Sequence, residues 1–157
     1  MRSEAIERAM TGRVWIEDGF IKNRSTLFGD WEVRIADLRL IGEATNENGP
    51  FLDDWMLIFA CDARAWFEAS VFAPGIFELC EELGGVVGGK LVPQLAGSAT
   101  FNSRVMWPAA LQGKPVFRYE DPPAKGVIGR ALRRLFKPAS NVQRFSDEVL
   151  RFLHDAA

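Results

Sequence analysis

In the stretch GEATNENGPFLDDWMLIFACD, residues 42–62, six carboxylate and amide side chains gather within a dozen positions: Glu43, Asn46, Glu47, Asn48, Asp53 and Asp54. Such a cluster has two chemistries open to it, hard-cation binding and general acid/base catalysis. An EF-hand-like register with Gly49 at position six places Asn48 at five and Asn46 at three. It also places Ala44 at one and Trp55 at twelve, so both charged ligands are missing. A looser divalent site would draw on Glu47, Asp53 and Asp54. A catalytic pair would set Glu43 against Asp54 across a hairpin, in environments that drive their pKa values apart. The third reading is a hairpin tip at the surface, with charges beside it for solubility. The sequence favours the tip, and Glu43, Glu47, Asp53, Asp54 and Trp55 stand as the candidate ligand site. No metal or cofactor is expected.

Other chemical motifs are incomplete. GGVVGGKL, residues 84–91, has the glycines and lysine of a phosphate loop, but Leu91 replaces the hydroxyl residue that would hold magnesium. It also follows an expected helix where such a loop should follow a strand, so it reads as a glycine-rich connection. His154 is the only histidine, and it is expected on the exposed last turn of a helix, where a cation suits the helix's negative end. One histidine and two distant cysteines, Cys61 and Cys80, cannot fill a tetrahedral zinc site. No GxSxG elbow is present. Trp15, Trp31, Trp55, Trp66 and Trp107 all fall on expected strands. They supply either core or the lining of a ligand pocket, and core is the commoner use of so large a buried area.

The most suggestive segment is KGVIGRALRRLFK, residues 125–137, with a charge of +5 and no acid. Arg130, Arg133, Arg134 and Lys137 follow helical spacing, while Val127, Ile128, Ala131, Leu132, Leu135 and Phe136 take the other side. A basic amphipathic helix suits an anionic membrane, an acidic partner groove or nucleic-acid phosphates. Its plainer use is to lie across the sheet with its cations paired to the chain's own acids. The charge is polarised along the chain: residues 1–100 hold 9 Lys and Arg against 16 Asp and Glu, and residues 101–157 hold 10 against 5.

These residues need elements to position them. After a short helix over residues 2–10, strands are expected as far as Phe72. RVWIEDGFI flanks Asp18-Gly19, a hairpin-turn dipeptide. In WEVRI, Trp31, Val33 and Ile35 alternate with Glu32 and Arg34, and the apolar frame then slips at Ala36-Asp37, which predicts a bulge or corner. PGIFELCEELGG predicts a helix over 74–84, with Ile76, Leu79, Cys80 and Leu83 in one stripe. GSATFNSRVMW and KPVFRYE supply further strands within 91–120. Residues 126–156 predict two amphipathic helices, the second opened by a Ser140–Gln143 capping box and carrying Val142, Phe145, Val149, Phe152 and Leu153.

The expected fold is α+β in one domain, residues 1–157. It is a curled antiparallel β-meander or partly open barrel of about six to eight strands over residues 1–73 and 91–120. One helix follows the first strand group, and two close the chain. In element order this resembles bacterial pleckstrin-homology-like domains, which implies a PH-like topology. The net charge of −2 does not favour nucleic acid, and no apolar run reaches the length of a membrane-spanning helix. The N-terminus lacks a signal peptide's apolar core, and two cysteines without CxxC spacing fit reduced thiols in the cytoplasm. The expected role is a non-catalytic binding or adaptor module, meeting a protein or anionic membrane surface through Arg130, Arg133, Arg134 and Lys137. The alternatives are a small-molecule binder or carboxylate enzyme with a Trp-lined pocket, and a structural subunit of a homo-oligomer.

Overall fold

The computed structural model describes residues 11–46, 54–98, 100–120 and 142–156. Strands β1 (Arg13–Glu17), β2 (Phe20–Arg24) and β3 (Trp31–Arg34) form a three-stranded antiparallel sheet. Asp18 (φ 53°) and Gly19 (φ 80°) both adopt the left-handed conformation between β1 and β2. A two-residue turn of this kind matches the twist of the strands it joins, as the sequence predicts. After β3 the chain makes a short 3-10 turn, Ile35–Asp37, where the apolar frame slips. This corner carries it into a second sheet.

That sheet has the order β6-β5-β4-β7, built from β4 (Leu40–Thr45), β5 (Trp55–Ala60), β6 (Phe67–Ser70) and β7 (Asn102–Trp107). Every residue of β4, and every residue of β5 after Trp55, is buried. Both faces of the sheet are therefore covered, which explains why WMLIFA is a continuous apolar run without alternation. Ile41, Leu57, Phe59 and Ala69 join a core with Val14, Ile21 and Val33 of the first sheet and with helix α1 (Ile76–Val87). Leu40, Ala44, Met56, Ile58 and Val105 face a second core. A β8–β9 pair (Phe117–Glu120 and Val142–Phe145) and helix α2 (Asp147–Asp155) close it, with Phe117, Phe145, Val149 and Leu153 buried. Among the described residues the architecture is mixed α+β, with three antiparallel sheets, two helices and no closed barrel.

Helix α1 begins at Ile76, two residues after the expected start at Pro74, and two further boundaries differ from expectation. Helix α1 runs through Gly84 and Gly85 to Val87, and Gly88 (φ 77°) ends it, its N–H reaching the Gly84 carbonyl at 3.0 Å. Gly84 is there for clearance: a Cβ would stand 2.5 Å from the Gly89 carbonyl oxygen. At the other boundary, residues 142–145 are a strand, not the first turn of a helix. Phe145 pairs with Phe117 across the ladder, their rings stacked 5.7 Å apart. The helix starts one residue after Ser146, whose Oγ accepts from Val149 N at 3.3 Å, and Asp147 and Glu148 occupy its first turn. A serine cap followed by acids suits the positive end of a helix. Ser140 and the first expected C-terminal helix lie outside the described residues, as does the expected N-terminal helix.

Candidate functional site

Glu43 is the candidate acid whose surroundings are best defined. Its position on β4 aims it at the same face as Ile41, toward α1, and it is 0% exposed. Across the ladder it lies opposite Leu57 on one side and Arg104 on the other. Arg104 Nε and Nη2 donate to Glu43 Oε1 at 3.0 and 2.7 Å. Trp55 Nε1 donates to Oε2 at 2.9 Å, and the backbone N–H groups of Gln94 and Leu95 donate at 2.8 and 3.2 Å. An ionised carboxylate has about four lone-pair positions, and these donors occupy them. Glu43 is thus saturated as an acceptor. The buried ion pair fastens the strap after α1 to the sheet, because Arg104 Nη2 also donates to the Val92 carbonyl at 2.9 Å. Buried charges persist only where such partners satisfy them.

The pairing of Glu43 with Asp54 across the hairpin is not formed. Asp54 stands at the far end, where its carbonyl accepts from Asn46 N at 2.9 Å. Trp55 serves Glu43. Glu47 and Asp53 lie outside the described residues, as do Arg130, Arg133, Arg134 and Lys137. Among the described residues no three His, Cys, Asp or Glu side chains come together as a metal-sized cluster.

The tryptophans divide between cores instead of converging on one pocket. Trp31 packs on Phe59 and Phe67, with ring centres at 5.8 and 5.5 Å, on the α1 side of the central sheet. Trp66 packs on Phe117 and Phe145, at 4.8 and 5.1 Å, on the other side. Trp15 lies under the Arg13 guanidinium at 5.1 Å.

The fastened strap has a visible consequence. Between α1 and residues 89–93 runs a groove of about 470 Å³, lined by Phe77, Gly84 and Gly85 of the helix and by Lys90 and Val92 of the strap. Phe77 is 64% exposed and Val92 54%. Glycine-rich GGVVGGKL therefore forms the last turn of a helix and one bank of a groove, and it never takes the strand–loop–helix form of a phosphate loop. Sequence reasoning missed this site. Its one signal was an excess of glycine beside apolar residues with no place on the helix's buried stripe.

Both thiols are free. Burial, reinforced by the charge of Glu43, pushes Cys80 from the ordinary 9.0 up to about 11, and burial also raises Cys61. Only the thiolate reacts quickly. Ellman's reagent near neutral pH is therefore expected to modify Cys61 slowly and Cys80 only on unfolding. The Cys80 pKa is higher in the folded than in the unfolded chain, so the folded state holds its proton more tightly. Its contribution to stability is full below pH 9.0 and falls as the pH climbs toward about 11. A denaturation midpoint that stays flat over that range in the parent, and matches that of Cys80→Ala, would contradict it.

His154 is exposed on the last turn of α2, as expected. No helix among the described residues is long and apolar enough to cross a membrane. Compared with protein-family models, curated proteins and solved structures, the chain matches none.

Proposed function

We propose that the protein is a non-catalytic binding or adaptor module that meets an anionic partner or membrane surface through residues 125–137. The observation that carries this reading is the charge of that segment, five cations without an acid, with Arg130, Arg133, Arg134 and Lys137 at helical spacing. Support comes also from the use made of Glu43, which is committed to holding the strap and has no lone pair left for a substrate. A PH-like topology, a helix within residues 121–141 and a cytoplasmic setting belong to the same proposal. The small-molecule alternative draws less support, since Trp31 and Trp66 stand on opposite faces of the central sheet.

The test is sedimentation of the full chain with phosphatidylserine vesicles, run beside pull-down of acidic partners. Each cation near an anionic membrane contributes about 1 kcal/mol. Changing Arg130, Arg133 and Arg134 together to Gln is therefore expected to cost about 3 kcal/mol, roughly a hundredfold in affinity. If the parent protein shows neither interaction at low salt, the proposal fails.

A further inference from the structure

We infer that the exposed edge of β3 docks a second copy of this chain, the two β3 strands pairing antiparallel about a two-fold axis at Val33. The inference is independent of the reading given to residues 125–137.

Four edges bound the two larger sheets, and three of them are covered. At β1, Val14 is wholly buried, and its carbonyl lies 2.7 Å from where a Cβ on Gly75 would stand. At β6, the outward carbonyls of Glu68 and Ser70 accept from Trp31 Nε1 at 2.9 Å and Ala73 N at 3.1 Å. At β7, Val105 N donates to the Lys114 carbonyl at 2.8 Å, and the Val105 carbonyl accepts from Gly113 N at 2.9 Å. The edge of β3 has no such cover among the described residues. Ile35 N donates to the Gly19 carbonyl at 2.9 Å, so Val33 and Trp31, which alternate with it, also face β2. Glu32 and Arg34 therefore turn their backbone groups outward, and both residues are exposed. The Arg34 carbonyl opens the following 3-10 turn, which leaves its N–H and both groups of Glu32 as the open edge. A cleft of about 370 Å³ runs beside them, lined by the strand and by Ala65 and Phe67 among others, where a further strand would lie. Uncovered edges are templates for strand pairing.

The charges on that edge select the occupant. Edge charges commonly deter pairing, but two of opposite sign flanking one residue are self-complementary. Antiparallel pairing centred on Glu32 or on Arg34 would set like charges directly opposite, which destabilises a ladder. Centring on Val33 sets each Glu32 opposite the second copy's Arg34 on the solvent face. It also lets each Arg34 N–H donate to the second copy's Glu32 carbonyl. A strand complementary to Glu-Val-Arg in this orientation must itself read Glu-x-Arg, and β3 supplies that order. Both side chains are available for the pairing. Lys22, the ladder neighbour of Glu32, gives its ammonium to Glu17 at 2.7 Å. Neither Glu32 nor Arg34 enters an ion pair among the described residues. The other charged groups at the cleft are Asp37, Asp62 and Arg64, and the last two pair with each other at 3.0 Å. Such a contact uses the same surface on both copies, so it closes at two.

The experiment is sedimentation velocity of the full chain over a concentration series, the parent beside Glu32→Arg, Arg34→Glu and an equimolar mixture of those two. The parent is expected to show a monomer–dimer equilibrium. Each variant alone is expected to weaken it about tenfold, because both symmetry-related pairs become like-charged. In the mixture every pair between unlike copies is again of opposite charge, so dimers are expected to return to near the parent's level. Arg34→Pro tests the backbone contribution. Arg34 has φ −70°, which proline adopts, and its outward N–H has no partner among the described residues. This variant is expected to keep the parent's circular dichroism and melting temperature and to stay monomeric. A parent that remains monomeric at millimolar concentration overturns the inference. So does dimerisation that the single variants leave intact, or a mixture that fails to recover it. Assembly that grows beyond two copies overturns it as well, since a two-fold contact closes on itself.

Discussion

Replacing Arg104 by alanine is expected to destabilise the fold by about 3–5 kcal/mol, the cost of leaving a buried charge without its partner. Glu43 is wholly buried, and the Arg104 side chain is only 17% exposed, so the carboxylate would lose its charged partner where water reaches poorly. Three donors would remain on the carboxylate, from Trp55, Gln94 and Leu95, but none of them carries charge. The Val92 carbonyl would lose its partner in the same step. Lysine is expected to recover only part of the loss, since a single ammonium cannot serve the carboxylate and that carbonyl with a guanidinium's fixed geometry. Pairing Arg104→Met with Glu43→Gln should cost less than the two changes summed, because neither partner is then left as an unmatched ion. Urea midpoints of the parent, Arg104→Ala, Arg104→Lys, Arg104→Met, Glu43→Gln and the double variant measure this directly. A loss below about 1 kcal/mol for Arg104→Ala would place the pair among solvent-screened bridges and refute the account of a fastened strap.

Phe59→Ala carries the second large effect, about 3–5 kcal/mol for removing a buried aromatic side chain and leaving a cavity. Phe59 is the penultimate residue of β5, flanked by strands on both sides, and is 0% exposed. It pairs with Ile41 on one side and Phe67 on the other, and its ring meets Trp31 at 5.8 Å. That contact joins the first sheet to the central one. Neighbouring layers are too well connected for local collapse to fill the space, so the loss should fall at the high end of the range. Thermal unfolding of Phe59→Ala beside Phe59→Leu reads the cavity separately, the leucine keeping most of the volume. Equal midpoints for parent and alanine variants would contradict the two-faced core.

Much of this architecture was legible where local chemistry decides it. Asp18-Gly19 forces its turn through two left-handed residues, and the slipped apolar frame at Ala36-Asp37 marks the passage between sheets. The stripe Ile76, Leu79, Cys80 and Leu83 is buried on α1 as its spacing predicts. Legibility ended where distant segments decide. Nothing near Glu43 points to Arg104, 61 residues away, yet strand register places the two opposite one another. The acidic hairpin therefore looked like a candidate site, although its buried member was a fastening. Val142 and Phe145 have helical spacing with Val149, but pairing with β8 overrides that period. The groove was hidden for a similar reason: Gly84 looked like a helix stop until the close approach of the Gly89 backbone explained it.

The most direct measurement of the central claim is sedimentation of the unmodified full chain with phosphatidylserine and with phosphatidylcholine vesicles across a salt series, with an acidic polypeptide in parallel. Salt screens exposed charges over about 10 Å at 0.1 M, so attraction through residues 125–137 must weaken as salt rises. The account predicts binding to the anionic probes at low salt, its loss at high salt and no binding to the zwitterionic vesicles. Failure to bind any anionic probe at low salt would contradict it.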